Sequence, residues 1–518
     1  MEILQDRALV FNTRKASQIT ALIPKSHILA ENEGVSKVMV HWDLDEMRIL
    51  RNLGIKDVPH PILGRYKWPG MYTPFDHQRD TAVFLATHPR CFVFNEAGTG
   101  KTAAAAWAAD YLMNKGLVKR ILVVCPVSIM DTAWRSDLFK IVMHRSCAIA
   151  QGSREQRKAV ISKDYEFVII NFDGVKVVEK ELKAGGFDLI IVDEANAIKN
   201  VQTDRWKSIA ALLDPTTRLW LMTGTPASQS PLDAYGLAKL VNPSTVPMFY
   251  GRFRDQVMVK INQYKWVPKQ DAKDTVHKAL QPAIRFTKEE CLDLPDLLYS
   301  VRDVPLTPQQ TKYYTNIKQQ MVALAAGAEI TAVNAASMLN KLLQISQGAV
   351  YTDDRDVVEF DVANRFKALV DVIDQTDQKI LVFIPYRHAL TLVEDKIRAA
   401  GYTFATIHGG VSAPNRAEII KDFQTEDNVR ILLMVPQATA HGITLTRADQ
   451  VVWWGPVSST EIYLQANSRA HRQGQKNKVT VTHLQGSPVE KRMYVMLEQK
   501  IDMHLDLVEL YKQEIESP

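Results

Sequence analysis

Between Cys91 and Thr102 the chain reads Cys-Phe-Val-Phe-Asn-Glu-Ala-Gly-Thr-Gly-Lys-Thr. The opening run is apolar and predicts a buried strand, while Ala103–Met113, rich in Ala and free of Pro and Gly, predicts a helix. A glycine-rich turn joins them. Gly98 and Gly100 permit backbone angles that a Cβ would block, so the N–H groups around Thr99 can converge on phosphate oxygens. The helix N-terminus adds partial positive charge. Lys101 is then placed for the β- and γ-phosphates and the Thr102 hydroxyl for Mg²⁺. Further on, the apolar strand Leu189–Val192 ends in Asp193 and Glu194. Asp193 suits Mg²⁺, and Glu194 suits polarisation of an attacking water. Phosphoryl transfer is catalysed mainly by positioning and charge neutralisation, which these groups supply. The pair predicts ATP as ligand and Mg²⁺ as its counter-ion.

At 518 residues the chain has room for about three domains. It is 46% hydrophobic and 23% charged, the balance of an ordinary globular protein. Its 63 basic and 58 acidic residues leave a net charge of +5, which permits nucleic-acid binding without arguing for it. Cys91, Cys125, Cys147 and Cys291 form no Cys-x-x-Cys, so we read them as reduced, with no zinc site. The N-terminus does not read as a signal peptide, and no apolar run is long enough to span a membrane. A cytoplasmic location, in a bacterium or a phage-infected host, is the expectation.

Residues 1–70 carry no nucleotide motif and read as a small accessory domain ending in a Pro/Gly linker (Pro59, Pro61, Pro69, Gly70). From 71 to 295, apolar runs at Ile121–Cys125, Phe167–Ile170, Leu189–Val192 and Leu219–Met222 alternate with helical stretches, the pattern of a parallel sheet covered by helices. Residues 244–350 read as mainly helical. From 296 to 518 a second series follows: Ile380–Ile384, Phe404–Ile407, Ile431–Val435, Gln450–Trp453 and Val479–His483, then a helix over Val489–Tyr511. The fold class expected is α/β, two tandem RecA-like parallel-sheet lobes with a helical insertion, and a ligand in the cleft between them. Trp453-Trp454 reads as core. Lys260, Lys265 and Lys269 read as a DNA-facing group or a solvated helical face.

More segments fall in order along the chain: Phe75-Asp76-His77-Gln78, Val123 to Trp134 with its Cys125-Pro126 step, Ile169 to Phe172, Ile198-Lys199-Asn200 and Thr223-Gly224-Thr225-Pro226. Then come Arg285 to Glu289, Leu294-Pro295, Val304 to Gln310 with Tyr313, and Ile407-His408-Gly409-Gly410 with Arg416 and Phe423. Gly442 to Leu445 and Gln465 to Gln475 complete the set. Over about residues 72–500 the set resembles the Swi/Snf-type group of superfamily 2 helicase-like ATPases, nearest to compact bacterial and phage members. The segment Arg285–Gln310 separates this group from RNA-type helicases.

The resemblance implies roles residue by residue. Gln78 would read the adenine. The Cys-Pro segment, the Ile169–Phe172 segment and the His408 segment would contact a DNA strand. Thr223–Pro226 would couple hydrolysis to lobe movement. Gly442 would touch both DNA phosphate and the ATP site, and Arg469 and Arg472 would be arginine fingers. A planar cation suits the charge that spreads over the phosphate oxygens in the transition state. On a helix, residues three apart share a face. The sequence departs from the pattern at Asn95, at Asn196 (usually His), at His441 and at Ala227–Ser230. The implied function is a monomeric DNA-dependent ATPase moving along double-stranded DNA, with a protein partner able to use the N-terminal domain. The alternatives are a strand-separating, fork-remodelling or annealing helicase, and a nucleotide-gated DNA-binding module serving a partner enzyme.

Overall fold

The structure is a computed structural model that describes all residues except 225, 227–229, 262–265, 292–293, 328–331, 352–356, 440–442, 500–509, 512 and 516–518. Two parallel sheets form its frame. The first has seven strands, in the order Ala283–Ile284, Arg90–Val93, Arg218–Met222, Leu189–Asp193, Ile121–Cys125, Phe167–Asn171 and Cys147–Ile149. The second has six, in the order Leu297–Asp303, Val479–Gln485, Ala448–Trp453, Lys379–Phe383, Ile431–Met434 and Phe404–Ile407. Every pairing within both sheets is parallel. Each strand's carboxyl end therefore lies on one edge of its sheet, where open α/β sheets bind ligands.

The expected α/β architecture is present, and every apolar run read as a strand in the two lobes forms one. The central strands are fully buried on both faces, which is why they read as continuous apolar runs. The strands missed from sequence are short or exposed. Ala283–Ile284 has two residues, and Leu297–Asp303 is largely exposed along one edge.

The region 244–350 holds the helices Tyr250–Val257, Ala272–Ala279, Pro308–Gly327 and Ala332–Gln347. It also holds a hairpin, Met258–Lys260 against Trp266–Pro268, clamped by Arg254 stacked over Trp266 at 4.1 Å. Lys260 therefore sits on a strand, not on a helical face. Lys269 Nζ donates to the Asp255 carbonyl at 2.7 Å, and Lys265 lies outside the described residues. Of the expected C-terminal helix, Pro488–Glu498 is present, and residues 500–509 are outside the description. Trp453 and Trp454 are both fully buried, their indole N–H groups donating to Asn467 Oδ1 and the Gln347 carbonyl, each at 2.9 Å.

Residues Glu2–His41 form a four-stranded antiparallel sheet backed by the helices Ala16–Leu22 and Leu44–Asn52. Its apolar core runs without interruption into that of the first lobe, from Leu9 and Trp42 to Trp107 and Met222. The Pro/Gly stretch that reads as a linker is packed in place. Trp107 Nε1 donates to the Pro69 carbonyl at 2.9 Å, Tyr66 Oη donates to Asp110 Oδ2 at 2.6 Å, and Lys115 pairs with Asp43 at 2.8 Å. A Cβ on Gly70 would stand 2.4 Å from the Ile141 carbonyl oxygen, so only glycine lets the chain pass there.

Candidate nucleotide site between the lobes

The strand Arg90–Val93 delivers the glycine-rich loop to the sheet edge, and the helix Lys101–Asn114 leaves from it. Gly98 and Gly100 have φ of 93° and 81°, the left-handed region that L side chains rarely adopt. Lys101 Nζ donates to the carbonyls of Asn95 and Glu96 at 2.9 and 3.3 Å, which folds the lysine back under the loop. Thr99 is buried, its hydroxyl donating to the Glu96 carbonyl at 2.8 Å, and Thr102 occupies the second position of the helix. Gln78 lies against the loop, with Nε2 donating to the Thr99 carbonyl at 3.2 Å and Oε1 accepting from the Phe75 amide at 3.1 Å. The structure thus places Gln78 as a brace of the phosphate loop. Gly224 passes so close that a Cβ there would meet the Ala97 amide at 3.3 Å. Thr225, Ala227, Ser228, Gln229, His441 and Gly442 lie outside the described residues.

Asn95, the departure from a glycine, has a visible task. It is buried, its Nδ2 donates to Thr81 Oγ1 at 2.9 Å, and its Oδ1 accepts from the Phe286 amide at 3.1 Å. The side chain ties the phosphate loop to the segment that leads to the second lobe.

The strand Leu189–Asp193 carries the carboxylates. Asp193 is buried, with Oδ2 accepting from Trp134 Nε1 at 3.0 Å and Oδ1 from the Glu194 amide at 3.0 Å. Glu194 turns out of the strand at φ 55°, an uncommon angle for a residue with a Cβ. Burial holds its carboxyl up to about 7, and the Asp193 charge adds to the effect. Asp193 is raised too, by burial, against the pull of Lys101. Trp134 was legible only as a member of the Cys-Pro segment, and its grip on Asp193 appears in three dimensions alone.

The second lobe meets this edge with the helix Thr460–Asn467 and the turns that follow it. That helix ends before the fingers, so Arg469 and Arg472 do not share a helical face. They lie in the turns, fixed by the Arg469 carbonyl accepting from the Leu445 amide at 2.9 Å and by Gln475 Nε2 donating to the carbonyls of Thr446, Ala448 and Ala470. The change of setting leaves their reach intact. Arg472 Cβ stands 3.4 Å from where a Cβ on Gly98 would sit, and its Nη1 donates to the Ile443 carbonyl at 3.0 Å. Arg469 is buried, and its charge acts on both Lys101 and Glu194. Burial lowers Arg469 to about 10, with the Arg472 charge adding to it.

Asn196 donates to Glu461 Oε1 at 3.3 Å, across the cleft, and Gln465 Nε2 donates to the same oxygen at 3.2 Å. Beside them a cavity of about 520 Å³ opens between the lobes, lined by Pro126, Asn171 and Glu194 on one side and Glu461 and Gln465 on the other. It brings the Cys-Pro and Asn171 segments to the same cleft as Glu194. Arg416 braces the His408 segment, with Nη2 donating to the carbonyls of His408 and Val411, each at 3.4 Å.

Lys101 and Arg472, both poorly solvated, donate to backbone carbonyls, while the charges of Glu194, Asp193 and Glu96 act on Lys101 and that of Asp137 on Arg472. Cations this poorly solvated favour a further anion beside them. A triphosphate fits that description, with Thr102 and Asp193 on hand for its Mg²⁺.

The SNF2-related domain matches residues 10–349, and the helicase conserved C-terminal domain matches residues 364–474. The chain belongs to the SNF2-related family. Among curated relatives it is 24% identical over 434 residues to the mouse (Mus musculus) chromodomain-helicase-DNA-binding protein 1-like, covering 80% of this chain and 47% of that protein. It is 26% identical over 425 residues to an uncharacterized ATP-dependent helicase of Mycoplasma genitalium, covering 79% of this chain and 39% of the relative. The chain thus spans less than half the length of these relatives. It is also similar to the Sulfolobus solfataricus SWI2/SNF2 ATPase core in complex with dsDNA, at 20% identity over 86% of this chain and 95% of that chain, with a TM-score of 0.43.

Proposed function

We propose that this chain hydrolyses ATP and uses the cycle to move along double-stranded DNA. The observation that carries the reading is the meeting of Lys101 and Glu194 from the first lobe with Arg469 and Arg472 from the second around one glycine-rich loop. Lys101 and the loop amides hold the β- and γ-phosphates. Glu194 orients the attacking water and takes up its proton. Mg²⁺, where Thr102 and Asp193 hold it, supplies further charge neutralisation. The two guanidiniums stabilise the charge that builds on the equatorial oxygens, which they do only while the lobes are together. Water attack breaks the bond to the γ-phosphate, and departure of the inorganic phosphate, with ADP left behind, removes the anion that bridges the lobes; their reopening advances the protein along the duplex. Contacts to DNA go mainly to phosphates, so binding is tolerant of sequence and weakened by salt.

The test is ATP turnover with equal lengths of duplex DNA, single-stranded DNA and RNA. Stimulation by duplex above the other two supports translocation on double strands. A stronger response to RNA contradicts it, and a stronger response to single strands favours the strand-separating alternative.

A further inference from the structure

A fourth cation stands at the phosphate loop with no role assigned by the motifs. Lys288 belongs to the segment that leads from the first sheet to the second, between the strands Ala283–Ile284 and Leu297–Asp303. Its amide donates to Glu96 Oε2 at 3.2 Å, which fixes the backbone to the phosphate loop. Its Nζ donates to the His471 carbonyl at 3.0 Å, between the two arginine fingers of the second lobe. His471 is held to the same segment a second time, its ring Nε2 lying 2.8 Å from the Pro295 carbonyl. The Lys288 side chain passes directly over the loop, with Cε 3.6 Å from where a Cβ on Gly98 would sit.

The chemistry of that ammonium is incomplete. It has three N–H groups, and among the described residues the His471 carbonyl is its only acceptor. Among the described residues no carboxylate pairs with it within 4.0 Å. It shares its surroundings with Lys101, Arg469 and Arg472, three more cations, against Glu96. A lysine with two N–H groups to place, poor solvation and like charges around it is stabilised most by a polyanion.

We propose that Lys288 is a further phosphate-contacting residue of the nucleotide site, supplied by the segment that joins the lobes. The proposal rests on the reading of this cleft as an ATP site. The His471 carbonyl holds the ammonium over Gly98, so the contact is complete only where the second lobe is seated. The ligand class is a nucleoside di- or triphosphate. A nucleoside monophosphate lacks the β- and γ-phosphates that Lys101 is placed to hold.

The experiment is calorimetric or fluorescence titration of the full chain, its Lys288→Ala variant and its Lys288→Arg variant with ATPγS, ADP and AMP. Thermal melting of each protein without nucleotide runs alongside. Lys288→Ala is expected to lose about tenfold in ATPγS affinity, less for ADP and nothing for AMP, the scale of one charge-assisted hydrogen bond. Lys288→Arg, which keeps the charge, is expected to retain most of the affinity. Unchanged ATPγS affinity in Lys288→Ala overturns the proposal. So does an equal loss for all three nucleotides with a lowered melting temperature, since that marks a purely structural residue. Wild-type protein that binds none of the three would sink the nucleotide reading itself, a different result from either.

Discussion

The two lobes share an architecture but not a share of the chemistry. In the first, the glycine-rich loop, the acidic pair and the Gly224 turn all leave the carboxyl ends of adjacent buried strands, so one sheet positions the loop and both carboxylates together. From the second lobe, Arg469 and Arg472 reach across from turns, the His471 carbonyl meets Lys288, and Glu461 and Gln465 come from the helix before them. In the proposed function the first lobe holds the nucleotide, and the transition-state charge is answered only with the second in place. Binding should accordingly rest on the first lobe, while turnover needs groups from both.

The sharpest break between the two is Glu194→Gln. The variant keeps the volume and the loop but cannot take a proton, so kcat should fall about a hundredfold or more with ATP affinity little changed. Near-normal turnover would remove Glu194 from its role. Lys101→Ala attacks holding itself. Losing a charge-assisted contact should weaken ATP by about ten- to a hundredfold in a direct titration, and unchanged affinity would contradict the loop assignment.

Asn95→Ala probes the tie between the loop and the joining segment. It strands the Phe286 amide and takes one partner from the Thr81 hydroxyl, which keeps its bond to the His77 carbonyl, and should cost about 1–3 kcal/mol in denaturant unfolding. A midpoint shift within error would mean the tie is slack.

The smallest effect is one of pH. Burial pulls Lys288 down to about 8, and a bound polyphosphate would raise it again. The contribution to affinity is thus present below about 8 and lost as pH rises past it. Wild-type ATPγS affinity should fall more steeply above that pH than that of Lys288→Arg, and identical profiles would remove Lys288 from the titration.

Much of this was legible because local order carried it. A strand, a glycine turn and a helix in sequence already specify a phosphate loop, and doubly buried strands read as apolar runs in both lobes. Arg469 and Arg472 were legible through the resemblance, but their setting was misread, since a spacing of three suggests a helix that in fact stops at Asn467. What stayed hidden is long-range. Trp134 on Asp193, Asn95 on Phe286, Asn196 on Glu461 and Lys288 on His471 join residues far apart in the chain, and no local pattern encodes them. The N-terminal segment was misread for a related reason. Its prolines and Gly70 signal a linker, yet they serve close packing against the first lobe.

The most direct test of the account compares ATPase rate against duplex DNA concentration for wild type, Arg469→Ala and Arg472→Ala, with ATP and DNA affinities measured separately. DNA accelerates hydrolysis by favouring the lobes-together state, which helps only if that state is the better catalyst. Both variants should bind ATP and DNA nearly as wild type does, hydrolyse slowly, and gain little from DNA. Retention of the wild-type stimulation factor in both variants would contradict catalysis shared between the lobes.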